Sequence, residues 1–434
     1  MKRNVIALFV ALLGLAWVVS LSEAMNNPRR LKAHLEKAEE LEAKEIYVDA
    51  ISEYESALEY DPENEGIYLK MARAALNSGN SNEFESICED MAENYQNEEA
   101  LELLMEYYEE NDYEDKAVQY LKDFTEEYPD NEKAEEWFRK LKGSYTELYC
   151  RYEEIGEIIN DTMSFKEDDV YGIADAQGSE LVEAGYKETF PFSKDGFALV
   201  RKMDGKWIYI DEDGQTRKAP DEKYTNLGMF SDERAVAKKD GKYGYLDEDM
   251  EPAGKFMWSS LTAVAEGTGA GKKEGTWRLV NQDGEPKGEK HYDGIIMDEN
   301  GFCSMQKRIF VREKDTYYIV NTKGKEIGEL TFKDAKAFTE DGYAAVCKDG
   351  KWGFVNEDGE LVIDYTYDDA QSFHNGYAAV KQNELWGYID EEGTQVIKPQ
   401  FVEATKFSSE GTAAVRVDDQ GEEKWQLIQL DLYQ

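Results

Sequence analysis

The chain has 434 residues and 41% hydrophobic content, enough for ordinary cores in more than one domain. Against 50 Lys plus Arg stand 93 Asp plus Glu, a net charge of −43 that repels nucleic acid along the whole surface. Only three histidines occur (His34, His291, His374), and Cys88, Cys150, Cys303 and Cys347 are far apart with no C-x-x-C pair, so zinc sites and thioredoxin-type chemistry lack raw material.

Residues 5–21, VIALFVALLGLAWVVSL, carry no charge and follow Lys2 and Arg3. A helix of that length reaches ~25 Å, just under a hydrocarbon core of ~30 Å. The segment 1–25 is read as a retained membrane anchor or signal-anchor, placing the rest of the chain outside the cytoplasm. The alternative is a cleaved signal, for which Ser22-Glu23-Ala24 offers the small residues a signal peptidase prefers.

Between 29 and 150 the pattern is helical and self-similar. Ala50, Tyr54 and Ala57 share one helix face before Pro62, and Ala117, Leu121 and Phe124 repeat that spacing before Pro129. Phe84, Cys88 and Met91 fall midway, giving a period near 34 with two helices per unit. On these residues, with Ala38 and Ala72, the stretch resembles the tetratricopeptide repeat family: about three repeats and a capping helix around Trp137. The resemblance implies a groove that binds peptides or partner proteins. Glu99, Glu102, Glu106 and Glu109 recur on one face of a single helix, and Glu39 and Glu42 fall at the equivalent place in the first unit. These six carboxylates are the candidate partner-binding face, suited to a basic segment, although a charge run of this kind commonly marks only a solvated helix face.

From 155 to the end, strand chemistry takes over. Eight motifs recur: VYGIADAQG (170–178), KWIYIDEDG (206–214), KYGYLDEDM (242–250), TWRLVNQDG (276–284), TYYIVNTKG (316–324), KWGFVNEDG (351–359), LWGYIDEEG (385–393) and KWQLIQLDL (424–432). Their aromatic anchors, Tyr171, Trp207, Tyr243, Trp277, Tyr317, Trp352, Trp386 and Trp425, are spaced by 36, 36, 34, 40, 35, 34 and 39 residues. A second strand such as GYAAV (342–346) precedes most anchors and joins it through a tight turn. Within 351–359, Trp352 and Phe354 point to one side and Gly353 and Val355 to the other, so both faces are apolar and the units must stack.

These motifs resemble the WG-repeat family of bacteria, whose Trp-Gly pair stands here as Trp352-Gly353 and Trp386-Gly387. The expected architecture is multidomain: an N-terminal transmembrane or signal helix, all-α tetratricopeptide-like repeats over 29–150, and an all-β WG-repeat domain over 155–434. The β domain is expected to be a β-propeller of seven or eight units, with an open β solenoid as the alternative. The last unit lacks a trailing strand, and the segment near 152–159 is a candidate to supply it. The glycine after each Trp is expected to clear space for an aromatic of the neighbouring unit.

Catalytic chemistry finds no support in the spacing. The acidic turns, such as Asp211-Glu212-Asp213-Gly214, lack the Glu that closes an EF-hand loop. They read as hairpin turns. Gly267 to Lys273 lacks phosphate-loop spacing, and His291 and His374 sit in no nucleophile-base motif. No catalytic, cofactor-binding or metal-ligating residue is assigned. The expectation is a non-catalytic, membrane-anchored scaffold that binds a protein or peptide. The alternative is a secreted or surface protein that binds carbohydrate or cell wall through its β domain, favoured if Trp258 and Tyr224 form an exposed platform.

Overall fold

The structure, a computed structural model, describes residues 27–433, which fall into two compact units meeting at Leu141 and Lys142. In the first unit the described residues form seven consecutive helices: α1 (27–42), α2 (Tyr47–Leu58), α3 (Glu65–Ser78), α4 (Ser81–Tyr95), α5 (Glu98–Glu110), α6 (Glu114–Glu127) and α7 (Glu132–Leu141). Asn97 and Asn131 cap α5 and α7, accepting from Ala100 N at 2.8 Å and Ala134 N at 3.0 Å. Gly79, in the left-handed region at φ 81°, ends α3. The sequence period holds: Ala50, Tyr54 and Ala57 on α2, Phe84, Cys88 and Met91 on α4, and Ala117, Leu121 and Phe124 on α6 are all buried, as is Trp137 on α7.

The second unit contains eight antiparallel sheets. They form blades 1 (154–186), 2 (188–218), 3 (230–246), 4 (260–280), 5 (294–332), 6 (334–367), 7 (369–401) and 8 (403–430). Each blade opens with a short strand, followed by the hairpin that carries the aromatic anchor. Blades 3 and 4 have three named strands. Isolated bridges at Pro252 and Pro286 replace the fourth, because proline has no ladder donor.

Two observations close the ring. Blade 8 takes its fourth strand from Tyr145–Leu148, before blade 1, which pairs antiparallel with the last strand from Leu427 to Leu430. Each junction between blades also has its own apolar core. An open stack of eight units has seven junctions. The eighth core joins Ala414 and Leu427 of blade 8 to Ile155, Met163 and Phe165 of blade 1. The domain is therefore an eight-bladed propeller, and the solenoid alternative falls. Residues 152–159 do not close it: Glu154–Ile155 is the opening strand of blade 1, and the closing strand lies a few residues earlier.

The anchor strands are buried on both faces as expected. Trp352 and Phe354 pack with Ala378, Val380 and Ile389 of blade 7, while Val355 packs with Phe310, Ile319 and Phe332 of blade 5. The role of the glycine after Trp differs from the expectation. A Cβ on Gly353 would lie 2.5 Å from Ile363 O and one on Gly387 2.4 Å from Ile397 O, both backbone atoms of the same blade's outer strand. The glycine makes room for a bulge at which that strand shifts register.

The membrane expectation is corrected. Among the described residues no helix is long and apolar enough to cross a membrane, and the run 5–21 lies outside them. The first described helix, α1, is charged throughout, with Arg29, Arg30, Lys32, Glu36 and Lys37 in its opening turns. What stands is a helical-repeat unit followed by a propeller. The membrane anchor, the signal-anchor and the extracytoplasmic location are not carried forward.

Candidate functional site

The turns leading from each blade's first strand into its second converge on the ring axis, and hydrogen bonds link them from blade to blade. Asn160 Nδ2 donates to Phe192 O (2.9 Å), the Glu233 N–H to the Asp195 carboxylate, Gly267 N to Asp232 Oδ2 (2.8 Å) and Lys307 N to Glu266 Oε2 (2.8 Å). Gln306 Nε2 donates to Glu340 O (2.8 Å), Gly376 N to Asp341 Oδ2 (2.8 Å), Asn375 Nδ2 to Ser408 O (2.8 Å) and Ser409 N to Asp161 Oδ1 (2.9 Å). Every junction has a clasp, including the one from blade 8 back to blade 1.

Inside this circuit lies a cavity of about 790 Å³ with lining residues from all eight blades, from Ile158 in the first to Ser408 in the last. That volume lies within the range of ordinary ligand sites. Its deepest charges form a cluster across the ring. Lys406 of blade 8 donates to Glu299 Oε2 of blade 5 at 3.1 Å and stands 3.9 Å from Glu157 Oε2 of blade 1. Glu299 reaches inward on a turn, Asp298 to Phe302, stapled by Asn300 N and Phe302 N donating to Asp298 Oδ1. Nearer solvent, Lys194 of blade 2 pairs with Glu340 of blade 6, the blade opposite in a ring of eight.

Burial sets the titration of this cluster. It lifts Glu157 to about 7, with Lys406 opposing, and Asp298 to about 6, with the backbone donors of its turn opposing. Burial also disfavours the Glu299 carboxylate, but the bound Lys406 ammonium outweighs it and holds the group below the usual range. Lys406 is raised: burial disfavours its charge, and Glu299 and Glu157 together overcome that penalty. His374 is lowered, by burial first and by Lys406 second. Three atoms here have no hydrogen-bond partner among the described residues: Ser193 Oγ, His374 Nδ1 and Glu157 Oε2. No group of three or more His, Cys, Asp or Glu among the described residues is placed to hold a metal ion.

The candidate acidic face lies on the helical unit, and its carboxylates are not bare. Glu39 on α1 pairs with Lys70 on α3 (2.6 Å), and Arg73 on α3 with Glu99 on α5 (2.7 Å). Glu102 and Glu109 on α5 pair with Lys133 (3.0 Å) and Lys140 (2.6 Å) on α7. Glu42 accepts from the Tyr54 hydroxyl at 2.7 Å, and Glu106 is exposed with no pair shown. The stripe is one rail of an ion-pair ladder in which acidic and basic helices alternate.

The acidic turns of the propeller are hairpin turns. Asp247, Asn281, Asn321 and Asn356 each accept from the backbone N–H two residues on, which is an Asx turn, and Asp211 and Asp390 accept from the N–H four residues on. Trp258 and Tyr224 are 1% and 5% exposed, so they supply no exposed platform. His291 meets only Thr276 Oγ1, at 2.9 Å. The channel cluster was not singled out from sequence, yet it left a trace: the 40-residue step from Trp277 to Tyr317 is the longest of the seven and contains the turn that carries Glu299.

The family described as WG containing repeat matches 171–207, 209–243, 319–352, 352–386 and 386–425, and Tetratricopeptide repeat matches 43–106. The chain carries a WG-repeat region and a tetratricopeptide-like N-terminal region. The matched segments run from one anchor to the next, so they straddle the blades. The region 244–318, outside the WG matches, holds blade 4, the proline-interrupted outer edges and the Glu299 turn. No curated protein matches the chain. Similar solved structures include one titled as the eukaryotic initiation factor (12% identity, 65% of this chain and 87% of that one, TM-score 0.42). Others are the C-terminal WD40 domain of Sif2 (10%, 66% and 98%, TM-score 0.41) and Kluyveromyces lactis Hsv2 (9%, 63% and 98%, TM-score 0.36). At these TM-scores they add nothing to the strand pairing.

Proposed function

We propose that the protein is a non-catalytic interaction protein that binds protein or peptide partners through its helical repeats and the clasped end of its propeller. The observation that carries this reading is the axial cavity: every blade contributes to it, and the Ser193 hydroxyl and His374 Nδ1 at its wall have no hydrogen-bond partner among the described residues. A concave site of this volume, lined from every blade by a few polar groups, has the form of an ordinary binding site. On the helical unit the partner-facing side is the α1, α3, α5 and α7 face with Glu39, Glu42, Glu99, Glu102, Glu106 and Glu109. Because its ion pairs are solvent-exposed and individually weak, a basic partner segment can exchange with Lys133 or Lys140 at low cost.

The test is fluorescence anisotropy of the full chain against a panel of peptides graded from acidic to basic, at two salt concentrations. Basic peptides binding more weakly as salt rises is the expected outcome. Absence of binding across the panel would overturn the reading. The alternative, a glycan-binding β domain, requires no membrane span. Its aromatic platform would have to come from residues other than Trp258 and Tyr224, and a glycan array run beside the panel separates the two.

A further inference from the structure

We infer that the axial cavity of the propeller is a receptor for a lysine side chain of a partner protein, and that Lys194 occupies its entrance in the free state. This deepens the interaction reading and rests on it.

The first support is what the channel already holds. Two lysines of the chain reach across the ring to carboxylates of distant blades: Lys406 to Glu299 between blades 8 and 5, and Lys194 to Glu340 between blades 2 and 6. The inner one is fixed, since the Lys406 side chain is only 17% exposed and Glu157 also flanks it. The outer one is not: the Lys194 and Glu340 side chains are 69% and 52% exposed, and an exposed pair contributes little to holding the fold. The outer lysine is thus the removable one.

The second support is the chemistry of the partnerless atoms. The His374 ring is bonded to the Phe407 backbone, and its Nδ1 has no partner. With its proton on the other nitrogen, engaged with the Phe407 carbonyl, Nδ1 keeps an unused lone pair at the cavity wall, one side-chain adjustment from its interior. Ser193, 6% exposed and adjacent to Lys194, is at the wall of the same cavity, and its hydroxyl has no hydrogen-bond partner among the described residues. Both atoms can accept, and an ammonium group brings three donors and no acceptor. An anionic ligand would instead meet Lys406 and Lys194 already paired with Glu299 and Glu340, and would set Lys336 against six lining carboxylates.

The third support is the field. Six carboxylates line the cavity against three lysines: Asp161, Asp232, Glu266, Asp298, Glu299 and Glu340 against Lys194, Lys336 and Lys406. Most of the carboxylates are tied by backbone N–H groups, which fixes their positions without cancelling their charge. A concave, weakly hydrated site with that excess concentrates cations.

The experiment is calorimetric titration of the full chain with a terminally blocked Gly-Ser peptide bearing two lysines, the same peptide with both lysines acetylated, and spermidine. Wild type should bind the lysine peptide, and acetylation should weaken it about tenfold or more, the equivalent of one charge-assisted hydrogen bond. Lys194→Ala should tighten binding several-fold by freeing Glu340, while Glu340→Gln and Ser193→Ala weaken it. Glu183→Gln, exposed on the outer strand of blade 1, leaves this binding unchanged. All four variants alter one side chain without touching a blade core, and the thermal melt of each checks that the ring persists. Equal binding of the acetylated peptide, or an affinity unmoved in both Lys194→Ala and Glu340→Gln, overturns the channel assignment while leaving the interaction reading intact. Spermidine binding with this variant pattern and no peptide binding overturns the partner-protein source. No binding of any peptide, here and in the graded panel, overturns both readings.

Discussion

Phe165→Ala tests ring closure, with Phe354→Ala as its internal standard. Phe165 is 1% exposed, stacks on Tyr152 at a centroid distance of 4.0 Å, and sits in the core between blades 8 and 1. Phe354 is fully buried, meets Phe373 edge-on at 4.8 Å, and sits in the core between blades 6 and 7. Both truncations remove a ring from an enclosed site, so each carries the transfer loss and the cavity left behind, about 3–5 kcal/mol. For a domain of this size that lowers the melting temperature by roughly 6–20 °C, at about 2–4 °C per kcal/mol. The assay is urea unfolding followed by tryptophan fluorescence, with melting by calorimetry as the second probe. A closed ring makes the two costs similar, because the junction between last and first blades is packed like an interior one. If Phe165→Ala costs less than about 1 kcal/mol while Phe354→Ala costs the full amount, the eighth junction is not formed in solution and the ring is open.

Two further outcomes concern stability. Glu157 carries a folded-state value of about 7 against an ordinary 4.5, so the folded protein binds this proton more tightly than the unfolded chain and stability falls as pH rises from about 4.5 to 7. Asp298 acts in the same direction and the Lys406-bound Glu299 in the opposite one. Glu157→Gln should therefore match wild type near pH 5 and gain on it by up to about 3 kcal/mol by pH 8. A difference that does not change with pH in denaturant titrations would refute this. Gly387→Ala places a Cβ against Ile397 O at 2.4 Å and should cost about 1–3 kcal/mol. Gly185→Ala, with nothing nearer than 4.0 Å, should be neutral or gain about 0.4–1 kcal/mol. Equal melting temperatures for these two variants would remove the bulge from the explanation of the Trp-Gly pair.

The repeat was legible because its cause is local. An aromatic anchor, two apolar faces and an Asx turn are written within nine residues, and eight copies give both the period and the blade number. The helical period was legible for the same reason, since the buried faces of α2, α4 and α6 depend on spacing within one helix. What escaped was set by partners distant in sequence. Glu102 reads as one member of a carboxylate stripe until Lys133, 31 residues on, is placed beside it. Glu299 and Lys406 are separated by 107 residues, and nothing near either announces the other. The glycine after Trp was noticed but assigned to the wrong neighbour, because the atoms that crowd it are backbone carbonyls, and these have no sequence signature. Trp258 lies outside the repeated motif, yet its indole N–H donates to Gly284 O at 3.0 Å inside a blade junction.

The closing strand has a consequence for the order of events during synthesis. Thr146 and Asp431, bonded at 2.8 Å across the closure, are 285 residues apart, and joining them restricts the chain by about 5 kcal/mol of loop entropy on a flexible-polymer scale. On the ribosome, blades 1 to 7 can emerge and stack before blade 8 exists. Until the final strand is released, the first blade lacks the neighbour that covers Phe165, and the strand 145–148 has nothing to pair with. The nascent chain therefore passes through an open arc with two bare ends, each able to pair with another copy of itself. Loss of the strand Glu422–Leu430 would make that transient arc the permanent state.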